Sequence, residues 1–426
     1  MDDILESKTK VGFISNLALF LCLYLYIFSP RLDFGFSIHT GYFVVFLVFV
    51  FGLPFLVKAL TNKSIIFVGC IFLFLAAFHF LMASFYLNDP FFFLLIQLSL
   101  IAYLIFGFVV AAYLSSKVVS LDWKAESLVD KLIKLSAFAV FINSAIILIE
   151  YLNPEIKEIV ESILINDPGA NINYGEHAFR LRGFAAAGGA GLSIVNALTV
   201  LFFIFLTANK QVSSSLALLC SLVIVVSNIF TGRTGLLFGI LFFLVLLLFA
   251  VGQLARSGIY SGIRSLGLIL LFGFSMAYIF NFDLDPAAAG WAFEWVDGLK
   301  SGEIDSTSVD ELKSMLFVPD NPMHLLFGIG FFEGDNSLYP RSDSGYLKTI
   351  FSIGVPLGIV LYSAIIFLFF RLCGISKKYC WLVWSILAFM LFVEVKEPFL
   401  YQNFAARVIF LLSGAALFSL GRRHKC

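Results

Sequence analysis

Long apolar runs alternate with short polar breaks along the whole chain. A window of roughly 19 residues picks out apolar segments at 11–29, 42–57, 65–86, 91–114, 135–152, 191–207, 215–230, 235–251, 266–281, 346–370, 381–393 and 408–420. Most approach the roughly 20 residues that a helix needs to cross the hydrocarbon core of a bilayer. The pattern predicts an all-α polytopic membrane bundle of about twelve transmembrane helices. No internal repeat or low-complexity linker interrupts it, so 1–426 reads as a single integral membrane domain. The polar residues 1–10 precede a first apolar run that lacks a small-residue cleavage site, and this run is expected to be a retained span rather than a signal peptide.

Composition removes the soluble alternatives. Hydrophobic residues make up 60% of the chain and charged residues 13%, against roughly 25% charged in an ordinary soluble protein. Phe alone contributes 52 residues, more apolar surface than an aqueous core of this length can hide. The solvent is expected to be the lipid bilayer. The formal net charge of +0 gives no electrostatic footprint for nucleic acid. The six cysteines form no CxxC pair and lie mostly in or beside apolar runs, as small buried hydrophobes do.

The distribution of charge orients the spans. With the N-terminus inside and the spans alternating, the inward loops hold the larger share of the 28 Lys and Arg residues and few acids, in accord with the positive-inside rule. The basic tail GRRHKC then also lies inside, and both termini are expected to be cytoplasmic. Two outward loops are long, 153–189 and 282–345. Loops of that length on one face are usually functional.

Candidate chemistry collects in these loops. The second begins with PAAAGWAFEWVDGLK, which sets Trp291 and Trp295 on one helical face at headgroup level. A capping-box pattern at Ser308-Val-Asp-Glu311 predicts another short helix. The stretch 321–343 carries His324, three glycines (Gly328, Gly330 and Gly334), Arg341 and Asp343. Arg341 and Asp343 stand at the entrance of the span that opens at Tyr346, where simple pairing would also explain them. The first long loop ends in Tyr174-Gly-Glu-His-Ala-Phe-Arg-Leu-Arg-Gly183, placing Arg180 and Arg182 before a small-residue helix start. Arg233 lies in the turn Thr231-Gly-Arg-Thr-Gly235 between two strongly apolar spans. Each outward arginine alone is compatible with interfacial snorkelling. Three separate loops each supplying one point to anion binding, because the planar guanidinium donates two parallel hydrogen bonds to phosphate.

Arg180-Leu-Arg-Gly183, the turn Asn228-Ile-Phe-Thr-Gly-Arg-Thr-Gly-Leu-Leu237 and the stretch Leu325-Leu-Phe-Gly-Ile-Gly330 with Ser342-Asp-Ser-Gly-Tyr-Leu347 and Gly354-Val-Pro-Leu-Gly358 resemble the bacterial O-antigen polymerase/ligase superfamily, and most of all its O-antigen polymerase (Wzy) branch. The resemblance covers most of the chain in topology and these three short motifs in residues. It implies a GT-C-like, metal-independent, inverting glycosyltransferase of the bacterial inner membrane with no cofactor. Its implied donor is an undecaprenyl-diphosphate-linked oligosaccharide repeat unit, and a chain-length regulator protein is an implied partner. Carried onto this sequence, Arg180 or Arg182, Arg233 and Arg341 form the diphosphate clamp. Asp343 is the candidate acceptor of the attacking hydroxyl's proton, with His324, Glu176 and His177 as alternatives on the same face. Where many relatives, ligases above all, have a His near the span start, this chain has Ser342-Asp-Ser344, which favours the polymerase.

Two rivals remain open at the level of sequence. An O-antigen ligase shares the donor and the arginines. A transporter or flippase of lipid-linked glycans generally needs ionisable groups within its spans, where the sequence offers His79 and edge residues such as Glu150 and Glu394. His79 reads as a hydrogen-bonded core residue, and His39 and His424 as surface residues.

Overall fold

The computed structural model describes residues 16–33, 37–117, 125–164, 180–257, 267, 290–292, 294, 315–332, 338–340, 342–401 and 403–423. These residues are overwhelmingly helical. Apart from a hairpin pairing Arg31–Asp33 with Ser37–His39, no sheet occurs among them. Seven of the described helices are long and apolar enough to cross a membrane, or eight if one bent pair counts as a span. Three shorter apolar helices are Asn16–Phe28, Ser214–Phe230 and Lys378–Val393. The apolar segment at 266–281 lies outside the described residues.

Segment 42–57 departs from a straight span. It forms α2 (Thr40–Phe51) and α3 (Leu53–Leu60), bent by 95° at Gly52. Pro54 accounts for the break, because its ring removes a backbone donor and crowds the preceding turn. Gly52 permits it, since a Cβ there would stand 2.6 Å from Val109 Cγ1.

Contacts divide the chain into two units, Met1–Phe46 with Asp130–Ala292 and Leu47–Val129 with Phe293–Cys426. In the first, α8 (Ala190–Ala208) packs along α9 (Ser214–Ser227) and α10 (Arg233–Ser257). Helix α8 is almost wholly buried, so it is a central helix that sees little lipid. Helix α6 (Ala125–Leu152) continues through Asn153 into the amphipathic α7 (Pro154–Ile163). The Asn153 side chain accepts the amides of Glu155 and Ile156, and Pro154 opens the helix, the standard chemistry of a helix start.

The second unit is built on α4 (Lys63–Tyr86), α5 (Phe91–Lys117), α12 (Gly345–Ile375), α13 (Lys378–Val393) and α14 (Asn403–Arg423), with α11 (Pro322–Phe327) before α12. Lipid tails are as apolar as Leu, so helices in a membrane associate through close packing of small residues. The α5–α14 pair shows this: a Cβ on Gly107 would stand 2.3 Å from the Leu411 carbonyl oxygen, and one on Gly414 2.1 Å from that of Leu104. Gly414→Leu is therefore expected to lower the melting temperature of the detergent-solubilised protein by several degrees. Gly252→Leu, at a position with nothing within 4 Å, should leave it nearly unchanged.

Helix α12 is broken at Gly354, whose φ of 77° is open to glycine at little cost. The break frees backbone carbonyls that find other donors. Ile329 N–H reaches Phe351 O at 2.7 Å, and His79 Nδ1 lies 3.3 Å from Ser352 O. The His79 ring also stacks on Phe93, with centroids 4.6 Å apart. His79 is thus a hydrogen-bonded core residue at a helix break.

Candidate functional site

The first unit assembles two of the loop arginines from separate stretches of chain. The loop after Arg180 is held by polar side chains projecting from α6. Asn143 Nδ2 donates to Arg182 O at 3.2 Å, while its Oδ1 accepts Phe184 N–H at 3.1 Å and the Tyr24 hydroxyl at 3.0 Å. Two helical turns further along the same face, Glu150 Oε2 accepts Gly183 N–H at 3.2 Å. Leu181 N–H, next to Arg180, then donates to Phe230 O at 3.0 Å. That bond docks the end of the first long loop onto the turn that precedes Arg233.

The turn itself is fixed from α8. Asn196 Nδ2 donates to Asn228 Oδ1 at 2.9 Å, which also accepts the Thr231 hydroxyl at 3.0 Å. Ser193 Oγ accepts Gly235 N–H at 3.2 Å, and a Cβ on Gly235 would lie 2.0 Å from Ser193 O. Only glycine lets α10 begin so close to α8. Arg233 is the first residue of α10, where the positive end of the helix dipole disfavours a cation. A bound anion would reverse the sign of that interaction.

Arg180 and Arg233 converge on one indole. Their guanidinium carbons lie 4.8 and 4.7 Å from the Trp291 ring centroid. The two charges are thus no more than about 10 Å apart, a Debye length at 0.1 M salt. Each gains cation–π attraction from the ring face, but they repel one another. A multivalent anion engaged by both removes the repulsion and exploits the charge. Trp291 comes from the second long loop, so three distant stretches of chain contribute.

Arg182 is engaged elsewhere. Its side chain is buried, its Nη2 is paired with Glu161 Oε2 of α7 at 2.9 Å, and its Nη1 reaches Ala186 O at 3.4 Å. Its described contacts tie the first loop to α7. Arg341, Glu176 and His177 lie outside the described residues, as do Trp295 and the capping-box segment 308–311.

The second unit carries the other candidates. Asp343 is half-buried immediately before Ser344, the residue that leads into α12. The entrance is anchored on both sides: Ser342 Oγ donates to Met315 O at 3.1 Å, and Ser344 Oγ donates to Glu394 O at 3.3 Å. His324 has both ring nitrogens engaged, Nδ1 with the Tyr339 hydroxyl at 2.8 Å and Nε2 with Asn321 Nδ2 at 3.2 Å. Lys348, one turn into α12, lies 5.6 Å from the Phe332 ring.

Glu394 follows α13 and is fully buried, and its Oε1 accepts Leu400 N–H at 2.9 Å. Burial outweighs that hydrogen bond and pushes its pKa up to about 8. A carboxyl that keeps its proton longer when folded contributes stability that is complete below the unfolded pKa and is lost as pH rises through the folded one. The protein is expected to melt at a lower temperature at pH 9 than at pH 5.5. Glu394→Gln, which cannot ionise, should flatten that difference in a melting series.

Several of these residues give weak signals in sequence. Arg407 falls just outside the apolar window 408–420, yet α14 begins at Asn403 and buries it, with Nε donating to the Tyr103 hydroxyl at 3.2 Å. The spans therefore contain more ionisable groups than His79 and edge residues. Asn143 and Glu150 lie seven apart in an apolar run, a spacing of two helical turns that marks one polar stripe. Comparison with protein-family models, with curated proteins and with solved structures gave no match.

Proposed function

We propose that this protein is an O-antigen polymerase, transferring the growing glycan from undecaprenyl diphosphate to the end sugar of a new lipid-linked repeat unit. The observation that carries the reading is the meeting of Arg180 and Arg233 on Trp291. In the transfer, a hydroxyl of the acceptor sugar attacks the anomeric carbon from the face opposite the diphosphate. The bond to the diphosphate oxygen breaks, and negative charge builds on the leaving group. Preorganised guanidinium donors stabilise that charge, and an indole beside them offers a flat apolar face to a sugar ring. The resemblance implies Arg341, outside the described residues, as a further diphosphate ligand. Asp343 is the proposed acceptor of the hydroxyl proton, with His324, Glu176 and His177 as the alternatives.

The same proposal includes a bacterial inner-membrane location, about twelve spans in a GT-C-like arrangement, cytoplasmic termini, periplasmic loops at 153–189 and 282–345, and a chain-length regulator as partner. Arg180→Ala and Arg233→Ala in the native host test it through the surface glycan on a gel. Loss of polymerase leaves lipid A core bearing one repeat unit, whereas loss of a ligase leaves bare core. Normal long-chain ladders from both variants would remove the assigned site.

A further inference from the structure

The opposite charge problem arises at the other end of the second unit. The end of α3, the start of α4, the end of α12, the start of α13 and the end of α14 carry Lys58, Lys63, Arg371, Lys377, Lys378 and Arg422. Segments 52–64, 105–117, 366–382 and 410–423 contain no Asp or Glu at all. These segments thus bring cations to this end without bringing acids.

Among them lies a cavity of about 420 Å³, lined by Asn62, Ser64, Arg371, Gly374, Leu417 and Leu420 among others. That volume suits a small polar group. Arg371 is its charged member. Its Nη2 makes a long bond of 3.4 Å to Ser64 Oγ, its guanidinium carbon lies 4.4 Å from the Phe367 ring, and its Nε is buried with no hydrogen-bond partner. Lys63 and Ser64 open α4, and an anion there would also meet the positive end of that helix. Beside the cavity the helices present aromatic rings outward. Phe370 packs on Trp384 at 5.1 Å and Phe67 on Phe367 at 6.1 Å, with Trp384 and Phe67 exposed. A pocket that combines a guanidinium, Asn62 and Ser64 with apolar walls, and that exposed aromatic rings border, matches a phosphate joined to acyl chains.

We infer that this cavity binds the phosphodiester headgroup of an anionic phospholipid, with Arg371 as its principal ligand. The inference does not depend on glycan chemistry, and rests on the proposed orientation only for which leaflet supplies the lipid. Basic pockets between spans on the inner side are suited to such headgroups.

The test uses the full chain in neutral detergent, offered phosphatidylglycerol or phosphatidylcholine at equal mole fraction, with bound lipid read by native mass spectrometry. Phosphatidylglycerol should be retained preferentially, and Arg371→Gln should reduce its retention about fivefold, the change expected for one basic residue near an anionic surface. Ser64→Asp gives a second reading that spares the fold, because an acid is favoured in the first turn of a helix yet would occupy Arg371 and repel phosphate. Equal retention of the two lipids, or wild-type retention by both variants, overturns the inference. Displacement of the lipid by millimolar inorganic phosphate also overturns it, in favour of a soluble phosphate ligand. Arg233→Ala should lose the glycan ladder and keep the lipid. Lipid lost from Arg233→Ala but not from Arg371→Gln would place it at the outward arginines and overturn the assignment.

Discussion

Arg233→Ala is expected to slow glycan polymerisation by about 10²–10³, the usual effect of removing one donor aimed at developing transition-state charge. In the native host this should collapse the long-chain ladder to core with a single repeat unit. Arg233 stands at the start of α10 against the helix dipole, and its guanidinium shares the Trp291 ring with Arg180. In the proposed reading a bound diphosphate would offset both the helix dipole and the repulsion between the two guanidinium groups. Arg233→Lys should recover only part of the rate, because an ammonium cannot form the bidentate pair with phosphate. The Arg180→Ala, Arg233→Ala double variant should fall short of the product of the single effects, as groups acting on one charge do. Measured initial rates of chain extension in membrane vesicles would check each point.

Glu161→Ala is expected to destabilise the first unit by about 3 kcal/mol, near the lower end for breaking a buried ion pair, because Glu161 keeps some contact with solvent. The variant removes the carboxylate that holds the buried Arg182, and with it the tie between α7 and the loop that carries Arg180. Replacing both members, as Glu161→Ala with Arg182→Met, should be milder than Glu161→Ala alone, since no charge is then stranded in the interior. Thermal unfolding of the three proteins in one detergent measures this. Equal stability of Glu161→Ala and wild type would show that the pair does not hold the loop.

The helices were legible because the bilayer imposes one simple demand, that every spanning segment be apolar and hydrogen-bonded within itself. That demand is local, so a sliding window finds α4, α5 and α12 without knowing their neighbours. The window fails where two requirements compete. At 42–57 the apolar content predicts one helix, and Gly52 with Pro54 bends it instead. At α14 a charge inside the helix shortened the apolar segment, and the buried bond from Arg407 to Tyr103 restores its place. Helix α7 was hidden in a polar loop although Asn153-Pro154 supplies an ordinary helix start.

The candidate site divides in the same way. Sequence alone singled out the loop arginines, because the orientation expected from the charge bias makes a cation there conspicuous. It could not separate Arg180 from Arg182, two residues apart in one motif. Tertiary structure decided that. Asn143 and Glu150 of α6 fix the loop, Glu161 of α7 draws Arg182 inward, and the Leu181 bond to Phe230 turns Arg180 toward Arg233. Trp291 meets both guanidinium groups only through that convergence. The physical reason is range: burial in lipid is set residue by residue along the chain, whereas the pairing of buried polar groups depends on which distant helices approach closely enough to bond.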